Sequence, residues 1–222
     1  MIVTTDFRLV LDEAAISTVL PAGLDRPGLQ RRLATVLEDL ETVAAPTACY
    51  DAYPIERILH ERLELAGGTR IGCGQLASVI AGAEELYVAV CTLGGGLDDR
   101  IRTYRAENRY VEMLLLDELG TWAVDQVRTQ LYERMQAELG DRGWHLSSPL
   151  SPGESAWPIR EQRIIFRLLD PAKIEVTLGA SDLMHPLKSL SLAFGAGARE
   201  LGSEGLTRCH FCSIRDRCRY AA

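Results

Sequence analysis

The 222 residues, 47% hydrophobic and 25% charged, suffice for one sizeable core, or for one domain with a small appendage. With a net charge of −7 and no lysine- or arginine-rich run before its last fifteen residues, the chain lacks the basic stripe that neutralises phosphates, which argues against nucleic-acid binding. No apolar run approaches the ~20 residues that span a bilayer, and the opening MIVTTDFRLV is no secretion signal, so we expect a cytoplasmic protein without a membrane partner.

In chain order, residues 7–20 begin with a strand-like stretch, FRLVL, followed by a candidate helix from Asp12. A clear helix opens at Asp25-Arg26-Pro27, because Leu29, Leu33, Val36, Leu37, Leu40 and Val43 recur on one face, and Pro46 stops it. Residues 48–53 and 58–65 alternate as two strands joined through Pro54, with Gly67-Gly68 as a turn. After a short helix at 72–81, the β-branched run ELYVAVCTL at 85–93 predicts the most buried strand of the chain. The glycines that follow it, 94–96, come without the Lys-Ser/Thr or the G-x-G-x-x-G of phosphate loops, so we read a tight strand-to-helix turn.

Residues 97–104 and 108–139 are helical, the second long and central. Its expected buried surface is Met113, Leu114, Leu116, Leu119, Ala123, Val124, Val127 and Leu131. Gly120 in its middle costs about 1 kcal/mol relative to Ala and marks a close crossing by another backbone or a ligand. A strand at 144–147 leads into SSPLSPGESAWPIREQ, residues 147–162, and the last strands fall at 173–178 and 189–194.

The stretch 147–162 is the most specific in the chain. Pro149, Pro152 and Gly153 deny it regular structure, and Pro158 stands where a helix would begin. A shaped loop on a helix start suits a small-molecule site; an ordinary strand-to-helix connection would read the same way. Further on, Met184-His185-Pro186 forms a polar turn before the strand at 189.

In that order, the long helix, the loop and the turn resemble the activation domain of vitamin B12-dependent methionine synthase, closest to the short stand-alone proteins built on it. The matching positions of its R-x-S-P-G-Y-x-x-W-P-x-x-x-Q loop and M-x-P-x-K-S turn are Ser151-Pro152-Gly153, Trp157-Pro158, Gln162, Met184, Pro186, Lys188 and Ser189. Thr92 and Gly94 match its T-x-G turn. The resemblance implies a single α+β domain, residues 1–197, with a twisted, mainly antiparallel sheet flanked by helices. It also implies an accessory or reactivation module that presents S-adenosylmethionine, or a related ligand, to a cobalamin on a partner: a corrinoid protein or corrinoid-dependent methyltransferase. The chain has no corrinoid-binding D-x-H-x-x-G of its own and no complete catalytic constellation. The ligand-side residues implied are Asp125, Ser151, Pro152, Gly153, Glu154, Met184, His185 and Lys188. Where the family's loop has an Arg that pairs with the ligand carboxylate and a Tyr, this chain has Pro149 and Glu154; a family helix acid falls on Thr121, with Asp125 one turn further along the same face.

Residues 198–222 form a cysteine-rich tail, CHFCSIRDRCRY, in which Cys209 and Cys212 make a C-x2-C pair and Cys218 follows. Such a pair holds zinc or an iron–sulfur cluster, or acts as a redox dithiol, or stays unligated. The fourth ligand of a metal site would come from His210, His185, an upstream cysteine or outside the chain. The alternative function is therefore an iron–sulfur or zinc-containing redox or binding protein with an altered S-adenosylmethionine pocket. His60 and His145 sit in strand-like stretches and read as structural.

Overall fold

The computed structural model describes residues 1–12, 16, 27–60, 62–72, 74, 76–154, 157–201, 210 and 216. Its elements run β1 (Ile2–Thr4), α1 (Pro27–Val43), β2 (Thr47–Leu59), β3 (Arg62–Leu65), β4 (Arg70–Gly72), α2 (Leu76–Val79), β5 (Glu85–Thr92), α3 (Gly96–Ala106), α4 (Tyr110–Gly140) and β6 (His145–Leu146). Then come a 3-10 turn (Ile159–Glu161) running into α5 (Gln162–Leu168), another (Pro171–Ile174), β7 (Thr177–Leu178), β8 (Met184–His185) and β9 (Ser189–Gly197).

The main sheet has the order β4-β3-β2-β5-β9-β6, with β1 also on β2, and each of its pairings among the described residues is antiparallel. At its centre, β5 is covered on both faces. Tyr87, Ala89 and Cys91 face the core built with α1, α3 and α4, whereas Leu86, Val88 and Val90 face a second core with Trp157, Ile164, Ile165 and Ile174. Two dry faces are why this strand reads as an unbroken apolar run. The α+β class and the antiparallel sheet expected from the sequence are both present.

Five local expectations change. The alternation in residues 7–11 is real, with Phe7, Leu9 and Leu11 packed on the core, but these residues join no strand. Instead the Arg8 and Val10 N–H groups donate to Gln130 Oε1 (3.1 Å) and Gln126 Oε1 (2.8 Å), while the two Nε2 groups donate back to the Arg8 and Val10 carbonyls at 2.8 and 3.2 Å. Two glutamines one helical turn apart thus do the work of a neighbouring strand. Of the helix expected from Asp12, only Asp12 and buried Ile16, whose N–H donates to the Asp12 carbonyl, lie within the described residues.

Pro54 does not divide two strands. It sits opposite Glu85 at the last β2–β5 pair, and from Ile55 onward β2 pairs with β3 instead. A proline, which has no N–H to donate, is tolerated at such a change of partner. The expected strand 58–65 is two arms of a hairpin that turns at His60, φ 43°. Residues 173–178 also shrink, since Pro171 opens a 3-10 turn, Glu175 is left-handed at φ 58°, and pairing is confined to Thr177–Leu178. In α4, Leu114 is 63% exposed, so it is no part of the buried surface; Leu116, Leu119, Ala123, Val127 and Leu131 are. Beyond β9, the Ala198 N–H donates to Glu84 and Leu201 is buried in the second core.

Candidate functional site

The loop after β6 is fastened at several points. Ser147 and Gly195 exchange bonds, Ser147 N–H to the Gly195 carbonyl and Gly195 N–H to Ser147 Oγ, both at 2.9 Å. Leu150 and Ala193 exchange backbone bonds of 2.9 and 2.8 Å. Trp157, 1% exposed, donates its Nε1–H to the Gly72 carbonyl at 3.0 Å, and Glu161 Oε2 accepts the Gly72 N–H at 3.1 Å. Gln162 accepts the Ser191 hydroxyl at 2.6 Å and reaches the Asp182 carbonyl at 3.4 Å. The Trp and Gln of the loop pattern therefore hold the loop in shape, with their polar atoms spent inside the protein.

At the tip, Gly153 has φ 101°, a conformation that calls for glycine; a Cβ there would lie 2.9 Å from Ile159 Cδ1, the far end of an exposed side chain that can shift. Glu154 folds back on the loop, accepting the Ser151 N–H at 3.1 Å, while its own N–H donates to the Ser151 carbonyl at 3.1 Å. Burial pushes the Glu154 carboxyl above its ordinary pKa; the Ser151 N–H opposes this and the nearby Asp125 charge adds to it. Pro152 bridges to Glu154 along the backbone.

Facing the loop region, α4 carries a strip of polar groups. Lys188, 9% exposed, lays its stem across Gly120 and places Nζ 2.7 Å from Asp117 Oδ1 and 3.0 Å from Thr121 Oγ1. One turn further, Asp125 pairs with the buried Arg128 and lies within electrostatic reach of Glu154. The fold thus gathers Asp125, Ser151, Pro152, Gly153, Glu154 and Lys188 about the loop and this helix face. Met184 instead turns into the second core, and His185 is exposed beside Gly179. Arg128 and Asp98 also belong to this region: Arg128 follows Asp125 at the i,i+3 spacing of helical pairs, whereas Asp98 Oδ2, which accepts the Leu187 N–H at 2.8 Å, has no local signal in the sequence.

The strand-to-helix turn after β5 is structural. Thr92 Oγ1 accepts the Gly94 N–H (3.0 Å) and the Ser189 hydroxyl (2.8 Å), and a Cβ on Gly96 would lie 2.7 Å from the Val43 carbonyl oxygen. Cys49 and Cys91 are buried free thiols; burial pushes Cys49 up to about 11 and Cys91 higher still, which leaves both unreactive. Among the described residues no three His, Cys, Asp or Glu side chains stand together as a metal site. Cys209, Cys212 and Cys218 lie outside the described residues.

No protein-family profile matches the chain, and no curated protein matches its sequence. Among solved structures, the crystal structure of the MetH reactivation domain bound to AdoHcy superposes with a TM-score of 0.66, over 84% of this chain and 70% of that one. The fold is that of the MetH reactivation domain. At 17% identity the likeness to the MetH reactivation domain is one of fold.

Proposed function

We propose that the chain is an accessory or reactivation module for a corrinoid-dependent methyltransferase, holding S-adenosylmethionine or a related ligand against a cobalamin carried by a partner protein. The observation that carries this reading is the fold shared with a domain whose structure holds AdoHcy, together with a loop after β6 that is fastened at both ends and turns at Gly153, φ 101°. The donor set suits the cationic end of such a ligand, because Glu154 and Asp125 place two carboxyls at one end of the α4 strip. When bound, S-adenosylmethionine supplies an electrophilic methyl group. The chain's own part is placement: Ser151, Pro152 and Gly153 shape the wall, Trp157 and Gln162 keep it rigid, and Met184 and His185 belong to the turn that carries Lys188 into position.

Calorimetric titration of the full chain with AdoHcy tests this. Saturable binding that disappears in Gly153→Val supports the reading, and absence of heat together with absence of competition at high ligand concentration overturns it. The substitutions Pro149, Glu154 and Thr121 favour a second reading, in which residues 1–197 keep the fold for another purpose and the tail, 198–222, carries a zinc or iron–sulfur site on Cys209, Cys212 and Cys218. No described helix is long and apolar enough to cross a membrane.

A further inference from the structure

We propose that the groove between α5 and β7 is a second ligand site, one that takes a phosphate ester with a flat apolar group, and that Arg160 and Arg167 bind its phosphate. The inference goes beyond the loop site and does not rest on it.

The groove follows from how α5 is divided between core and solvent. Ile165 turns into the second core, while Ile164 forms an apolar wall of the groove with the half-buried Phe166 and Leu178. Arg160, Arg163 and Arg167 are exposed and line the same groove, whose volume is about 480 Å3. That lies within the range of small-molecule sites, about 300–1,000 Å3. Spacings of three and four residues bring the three guanidiniums together along the helix, where like charges repel. A bound anion offsets that cost.

The protein's own acids offset only part of it. Glu161, also in the lining, is turned toward β4: its Oε2 accepts the Gly72 N–H at 3.1 Å, and Arg160 Nε stands 3.7 Å from its Oε1. The Arg160 side chain is 75% exposed, where such an approach contributes little. Buried Asp182 accepts the Nε–H of Arg163. No carboxylate among the described residues stands within ion-pair distance of Arg167. In a chain of net charge −7, this face therefore carries two guanidiniums, Arg160 and Arg167, without a close acid.

Two such groups beside a third favour a dianion. A carboxylate brings one negative charge, whereas a phosphate monoester brings about 1.5–2 and three oxygens that suit the guanidinium fork. With its seven residues, α5 is about 10 Å long, room for an extended peptide of only about three residues. Phe166 and Leu178 leave an apolar wall for the esterified group.

The test is calorimetric titration of the full chain with phenyl phosphate, inorganic phosphate, sulfate and phenol at low ionic strength. Phenyl phosphate should bind saturably and more tightly than inorganic phosphate, and phenol should not bind. Arg160→Gln and Arg167→Gln, both at exposed positions, should each weaken phenyl phosphate at least about tenfold, the loss of one charge-assisted bond, and leave the AdoHcy titration as it is in the wild type. Absence of saturable phenyl phosphate binding by the wild type overturns the proposal and needs no variant to fold. Undiminished binding by the two folded variants overturns it as well. Equal affinity for phenyl phosphate, phosphate and sulfate means counter-ion attraction alone, and a glutamate-rich peptide that binds where phenyl phosphate does not makes the groove a protein-docking face; either result overturns the phosphate-ester site.

Discussion

Replacing Gly120 by Ala sets two effects of known sign against each other. In a helix interior the change is worth about 1 kcal/mol in favour of Ala. Against this, the new Cβ would overlap Leu97 Cδ2 and stand 3.2 and 3.3 Å from Cγ and Cε of Lys188. Leu97 is fully buried, and Lys188 is pinned by Asp117 and Thr121, so neither side chain has room to swing away. Forcing a methyl into such a crossing costs about 1–3 kcal/mol. We therefore expect Gly120→Ala to be destabilised by about 1 kcal/mol, read as a lower urea midpoint at unchanged slope. Gly140→Ala, in the same helix with nothing within 4 Å of the added Cβ, is the control and should be neutral or stabilised. If Gly120→Ala gains as much as Gly140→Ala, Gly120 is not a close crossing, and the placement of Lys188 over α4 is wrong.

Three further outcomes are expected. Trp157→Phe removes the donor to the Gly72 carbonyl and should cost about 1–3 kcal/mol in urea denaturation; a loss below about 0.5 kcal/mol would mean that this bond does not fasten the loop. Because the folded Glu154 pKa is raised, its stabilising contribution is complete below the unfolded carboxyl value and is lost as pH rises through the folded one, so Glu154→Gln should gain thermal stability relative to wild type at pH 7 compared with pH 4. An identical difference in melting temperature at both pH values would contradict that assignment. Cys212→Ser should lower the zinc or iron content per chain measured by elemental analysis, and unchanged content would remove the tail as a metal site.

Much of the candidate site was legible in the residues before any partner was known. The punctuation by Pro149, Pro152 and Gly153 marked the loop, and Gly120 marked a crossing because a glycine in mid-helix has a cost that packing must offset. What the crossing element is could not be read locally. The residues that meet Gly120 are Leu97 from α3 and the distant Lys188, whose partners Asp117 and Thr121 are known only once the turn before β9 is packed on α4. The pairing of Asp125 with Arg128 was within reach of a local rule, whereas Asp98 holding Leu187 was not.

The sequence by itself determined the properties that a few neighbouring residues decide through sterics and burial. These are the doubly buried strand β5, the apolar face of α4 apart from Leu114, the turn glycines and the rigid loop. Tertiary structure alone decided which groups satisfy one another across the chain. Residues 8–10 have the alternation of a strand, yet their backbone is bonded by Gln126 and Gln130; Pro54 lies within a strand because β2 changes partner there; and Leu114 is apolar but faces outward. Periodicity records that a residue needs burial or a bond, while the identity of the partner depends on contacts over a hundred positions apart, such as Val10 with Gln126.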